Sequence, residues 1–219
     1  MLLVANPSVS VLSRAIRGQS LVVFPLLCSF AGDGRFNSGM PTVLTILAEG
    51  FEELEAVAPV DLLRRAGAEV TMAALGEGIH VTGRSGFTLH ADTTLTAVGE
   101  RTFDLLFLPG GAGVRPLRAD PRVRAIVLRH QAADRWLAAI CAAPVILQDA
   151  GLLAGRWYTA HFSVAAELPG ILSGERTVAD GRLLTGRGAG TATEFGLLLV
   201  EKLFSPEKAH EIAASICAV

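Results

Sequence analysis

Residues 43–67 read VLTILAEGFEELEAVAPVDLLRRAG, and this stretch decides the fold class. Val43 to Ala48 is a continuous apolar run closed by Gly50, the pattern of a strand buried on both faces. From Glu52 to Ala66 the spacing turns helical, with Leu54, Val57, Leu62 and Leu63 apolar and Gly67 as the stop. The alternation continues. Val70–Leu75 reads as a strand, Ile79–His90 as a hairpin or a pair of short strands around Gly83 and Gly86, and Phe103–Leu108 as another buried strand. Asp120-Pro121 caps a helix through about Gln131, Trp136–Ile140 is a strand, and Ala142–Ala150 is a helix ended by Gly151. Short strands are expected at Trp157–Ala160, Arg176–Ala179 and Leu183–Thr185, then helices at Thr193–Phe204 and Pro206–Ile216. Strand–helix alternation with both-face burial predicts an α/β sandwich around a mostly parallel sheet.

Composition supports this and excludes other classes. The 219 residues are 51% hydrophobic and 18% charged, the opposite of a disordered chain. Three cysteines, Cys28, Cys141 and Cys217, are too few and too scattered for a disulfide scaffold or a zinc finger. Residues 1–39 differ from the rest: Arg14, Arg17 and Arg35 stand against the single acid Asp33. The remaining 40–219, read as one domain, then holds 16 basic and 20 acidic residues, so nucleic acid is not an expected partner. Three readings fit the leader: an upstream extension with Met40 as the functional start, a signal peptide cleaved after Ala31, or an organelle transit peptide. A cytoplasmic protein follows from the first. The apolar run Leu21–Phe30 is about half the roughly 20 residues of a membrane span, and no other segment is a candidate.

In such folds chemistry collects at the carboxyl ends of strands. Three of these ends stand out. Ala139-Ile140-Cys141-Ala142-Ala143-Pro144 places a cysteine among small neighbours, as a nucleophile on a tight strand-to-helix turn requires. A helix N-terminus behind it would lower the thiol pKa; a free cysteine is also a common core residue. Pro109-Gly110-Gly111 frees backbone N–H groups for an oxyanion, or is an ordinary turn. Glu52, Glu53 and Glu55 open a helix, where most acids complement the dipole. One of them, pointing inward with a raised pKa, would share a proton with a thiolate.

Together with Pro59-Val60-Asp61-Leu62-Leu63-Arg64-Arg65-Ala66-Gly67 and Thr185-Gly186-Arg187-Gly188-Ala189-Gly190-Thr191, these motifs resemble the DJ-one branch of the ThiJ/PfpI superfamily, in order from about Pro41 to Ile216. The resemblance implies a flavodoxin-like three-layer sandwich, a homodimer, and cysteine chemistry without a cofactor. It implies Cys141 as nucleophile, and Glu55 as a protonated acid hydrogen-bonded to its sulfur. It further implies Gly110, Gly111 and Ala142 as backbone donors to an oxyanion, and His161 as the histidine near the site. The remaining histidines, at 80, 90, 130 and 210, have no spacing that suggests a metal site. The expected substrates are small dicarbonyls such as methylglyoxal, or their adducts on glycated proteins. The competing class is a redox-sensing stress chaperone using oxidation of the same cysteine. A peptidase or amide hydrolase is disfavoured, because the protease-like branch places a histidine where Ala142 stands. Two departures from the branch, Ala112 after the glycine pair and Ala189 in the late turn, fall where the family shapes its small pocket.

Overall fold

The computed structural model describes residues 39–218. The leader expected at 1–39, with Cys28, lies outside these residues except for Gly39. Strand β1 (Thr42–Leu47) leads into helix α1 (Glu53–Ala66), which ends at Gly67, and β2 (Glu69–Ala74) follows. A hairpin of β3 (His80–Thr82) and β4 (Thr88–His90) comes next, then the short β5 (Thr93–Thr94) and α2 (Leu95–Val98). Strand β6 (Leu105–Leu108) is followed by α3 (Val114–Ala119) and α4 (Pro121–Ala132), and β7 (Trp136–Ile140) by α5 (Pro144–Asp149). The chain closes with β8 (Thr177–Asp180), β9 (Leu183–Gly186), α6 (Ala192–Leu203) and α7 (Pro206–Ser215).

Seven strands form one sheet in the order β5–β2–β1–β6–β7–β9–β8, parallel throughout except for the β8–β9 pair. The two sheet faces are buried separately. Leu105, Phe107, Ala138 and Ile140 face Val60 and Leu63 of α1, Phe195 and Leu199 of α6, and Ile212 of α7. Their neighbours Leu106, Leu108, Leu137 and Ala139 face Leu117 of α3, Ile126 of α4 and Val145 of α5. Successive side chains of a strand point to opposite faces, so an unbroken apolar run is what this double coverage demands. Burial of such strands at roughly 25 cal/mol per Å² of apolar surface is the main force holding the layers together. Among the described residues no helix is long and apolar enough to cross a membrane.

Two expectations need correction. Leu54 and Val57, two of the four apolar residues that marked the helical spacing of α1, are exposed; the buried stripe includes Ala56, Val60 and Leu63. Trp157–Ala160 forms no strand and keeps only one bridge, from Tyr158 to Ile171. The reason lies in its donors. The Trp157 N–H goes to Asp180 Oδ2 at 2.9 Å and the Thr159 N–H to Thr185 Oγ1 at 2.9 Å, and just beyond the segment the His161 N–H goes to the Cys141 carbonyl at 2.8 Å. The ladder position beside β7 is filled by β9 instead. The segment is thereby carried to the carboxyl end of the sheet, beside Cys141.

Candidate active site

The three acids after β1 have three different jobs. Glu52 is the N-cap of α1, and its carboxylate accepts the N–H of Glu55 at 2.8 Å. Glu53 Oε1 accepts the N–H of Ser85 at 2.7 Å and so fastens the hairpin turn. Glu55, one turn into the helix, points inward and is 1% exposed.

A glycine is required opposite it. A Cβ at Gly110 would lie 2.4 Å from Glu55 Oε2 and 2.6 Å from the Cys141 Cβ. The Gly110 N–H donates to Glu55 Oε2 at 3.1 Å, so it is not free for a substrate oxygen. Of the three N–H groups expected at an oxyanion, those of Gly111 and Ala142 face the Cys141 sulfur. Gly111 has φ +90, and a Cβ there would lie 2.5 Å from the Glu52 nitrogen.

Cys141 sits on the turn between β7 and α5 with φ +65. For a residue with a side chain this left-handed conformation is strained, costing on the order of 1–3 kcal/mol. The elbow is pinned from both sides: its N–H donates to the Gly186 carbonyl at 2.9 Å, and its own carbonyl accepts from His161. Its sulfur is hydrogen-bonded to the Glu55 carboxyl. Burial raises the pKa of Glu55 to about 7, opposed by the Cys141 hydrogen bond and by the N–H groups of Gly110 and Ala189. Burial, and then the charge and hydrogen bond of Glu55, push the Cys141 thiol up to about 12. The expected lowering by the helix behind it is overridden. Helix α5 has only six residues and starts at Pro144, whereas the sulfur is largely withdrawn from water and faces a carboxylate. When Glu55 carries the proton the charge disappears, and its O–H donates to sulfur, which favours the thiolate.

His161 caps the 3₁₀ turn Phe162–Val164. Its Nδ1 accepts from the Ser163 N–H at 3.2 Å and contacts Ser163 Oγ at 2.8 Å, so the ring proton belongs on Nε2. The structure also brings in the Arg187–Gly190 turn, which the resemblance placed at the small pocket. A Cβ at Gly188 would lie 3.5 Å from His161 Cδ2 and 3.8 Å from Glu55 Oε1, and the Ala189 N–H donates to Glu55. Gly188, Ala189 and Gly190 and the motif they belong to were the sequence signal for this contact. Among the described residues no cluster of three or more His, Cys, Asp or Glu side chains is placed to hold a metal ion.

Fold and site together define a flavodoxin-like α/β sandwich with a cysteine elbow beside a buried carboxyl group. The chain belongs to the DJ-1/PfpI family, which it matches over residues 41–202. It is 41% identical over 175 residues to Protein DJ-1 homolog A of Arabidopsis thaliana, covering 78% of this chain but 45% of that protein. The chain thus spans less than half the length of that relative. It is 32% identical over 174 residues to the Glutathione-independent glyoxalase DJR-1.2 of Caenorhabditis elegans, covering 77% of this chain and 91% of the relative. The crystal structure of Drosophila melanogaster DJ-1beta superposes with a TM-score of 0.79 at 35% identity, covering 82% of this chain and 98% of that one.

Proposed function

We propose that this protein is a cofactor-independent cysteine enzyme acting on small reactive dicarbonyls, converting methylglyoxal to lactate, and that the same site acts on dicarbonyl adducts of proteins. The observation that carries this is the proton shared between Glu55 and the strained Cys141, with two N–H groups aimed at the sulfur. The relative named as a glutathione-independent glyoxalase supports it.

In the proposed cycle the Cys141 thiolate adds to the aldehyde carbon of methylglyoxal, and the carbonyl π pair moves to oxygen. The N–H groups of Gly111 and Ala142 hold this oxyanion until it is protonated to a hemithioacetal. Glu55, aided by His161, removes the C1 proton and returns it to C2 through an enediol, giving a thioester of lactate. Water then cleaves the carbon–sulfur bond, releasing lactate and regenerating the thiolate. Overall one water is added and no external electron acceptor is needed. Cys141→Ser is expected to abolish lactate formation from methylglyoxal by the purified protein; turnover surviving that change would sink the reading.

A second reading rests on the same donors. Oxidation of Cys141 by peroxide would give a sulfinate whose oxygens Glu55, Gly111 and Ala142 are placed to bind. Intact mass after two equivalents of peroxide separates the two: a sensor gains two oxygens at Cys141, one from each peroxide, at this low dose.

A further inference from the structure

The three segments that converge on Cys141 run directly into short secondary elements. The Gly110–Gly113 loop enters α3, the Cys141 elbow enters α5, and His161 enters the turn that continues to Leu168. Helices α3 and α5 have six residues each, and neither has a side-chain cap at its N-terminus. Helices this short are not self-supporting, so their orientation is set by tertiary contacts.

One side chain joins their far ends. Arg118, in the last turn of α3, donates through Nε to Asp149 Oδ2 and through Nη2 to Asp149 Oδ1 at 2.8 Å. Asp149 is the final residue of α5. The Nη1 of the same guanidinium donates to Glu167 Oε2 at 2.5 Å, on the turn that follows His161. Among the described residues these are the only ion pairs linking any two of the three segments. The side chains of Arg118, Asp149 and Glu167 are 37%, 36% and 49% exposed. Ion pairs so accessible to water contribute little to stability. What a bidentate fork adds is fixed geometry. Each six-residue helix is about 9 Å long at 1.5 Å per residue. A tilt at the clamped end is therefore passed to the end that carries Gly111 or Ala142.

We propose that Arg118 is a positioning residue for the Cys141 site, setting through Asp149 and Glu167 the mutual placement of the Gly111 and Ala142 N–H groups and His161. The proposal rests on the reading of Cys141 as the reactive thiol. Two measurements on the full chain test it. One is steady-state turnover of methylglyoxal. The other is the pH dependence of Cys141 alkylation by iodoacetamide, followed on the Cys141 peptide by mass so that the other cysteines are scored separately.

In Arg118→Ala, kcat is expected to fall about tenfold with KM within about twofold, because sub-ångström misplacement of reacting groups acts on the transition state. The alkylation profile is expected to shift. Arg118→Lys, which offers one point contact instead of a fork, is expected not to restore either readout. A folded Arg118→Ala protein with unchanged kcat and unchanged alkylation, altered only in Tm, would overturn the proposal. Should Arg118→Ala not fold, Glu167→Gln removes one arm alone; it should move alkylation in the same direction by less, and an unmoved profile overturns the proposal equally. If the wild-type protein does not turn over methylglyoxal, the functional reading fails, and the alkylation profile still decides the role of Arg118.

Discussion

Glu55 is held in the fold most comfortably when it is neutral. Its pKa in the folded protein, about 7, lies above its ordinary value of 4.5. The stabilisation is therefore fully present below about pH 4.5 and is lost as pH rises through about 7. A shift of this size corresponds to about 3 kcal/mol at alkaline pH. Glu55→Gln should consequently raise Tm relative to wild type at pH 8.5, with the gain vanishing below about pH 4.5; thermal melts at pH 8.5 and pH 4 check this. The same change removes the exchangeable proton of the pair. Activity of the wild type is expected to rise with pH through about 7 and then level, since the first proton lost creates the singly charged pair. Glu55→Gln should lower kcat/KM by about 10²–10³-fold and erase that inflection, as expected for loss of a general acid–base. Stability and activity thus respond to this substitution in opposite directions. At this scale the sequence marked the right residue types, since three acids at a helix start beside a strand-end cysteine suggest one inward carboxyl. It did not say that the Gly110 N–H is taken by that carboxyl, because the contact joins residues 55 positions apart.

Helix α4 is anchored by a histidine that plays no part in the site. His130 is fully buried, with Nδ1 at 2.8 Å from the Ile126 carbonyl, and Nε2 accepts the Phe103 N–H at 3.1 Å. Only the neutral ring with its proton on Nδ1 satisfies both contacts. Burial, together with the charges of Arg129 and Arg135, holds its pKa below the ordinary 6.5, while the Ile126 hydrogen bond opposes this. A depressed histidine pKa means that the unfolded chain binds the proton more readily. The contribution is therefore present above about pH 6.5 and is lost as pH falls through the folded value. Glu55 gives both proteins the opposite trend, so the histidine is read from the difference between them: in urea melts His130→Gln should be less stable than wild type by about 1–3 kcal/mol at pH 8 if the Ile126 or Phe103 group is left unpaired, and the gap should narrow at pH 5. Element positions were largely legible from sequence, because both-face strands, Asp120-Pro121 and Gly67 leave local signatures. The exceptions have physical causes: β5 has two residues, α2 four and α3 six, too short to show a period. Trp157–Ala160 has the composition of a strand, but its Trp157 and Thr159 N–H groups are taken by the side chains of Asp180 and Thr185.

On the whole molecule, Leu54 and Val57 of α1 are 60% and 44% exposed, and Phe87 at the adjoining hairpin turn is 69% exposed. Exposed apolar side chains of this size favour burial against a second copy, and we propose that the protein is a homodimer. Sedimentation should give twice the chain mass, and Leu54→Asp should shift the protein toward monomer; a wild-type monomer at micromolar concentration would contradict this. The same residues separate what sequence could and could not determine. Hydrophobic runs and helical spacing determined the layered α/β fold by themselves, because burial on both faces of a parallel sheet constrains every residue of a strand. The cysteine elbow, the inward glutamate and the small residues around them were likewise readable as types in order. Residue spacing left three acids open and the resemblance singled out Glu55, which the tertiary structure places inward; tertiary structure alone decided which N–H groups remain open at the sulfur and which apolar residues of α1 face outward. It also decided that burial outweighs a short helix in setting the thiol pKa. These properties depend on distances between residues far apart in the chain, and a linear pattern does not encode them.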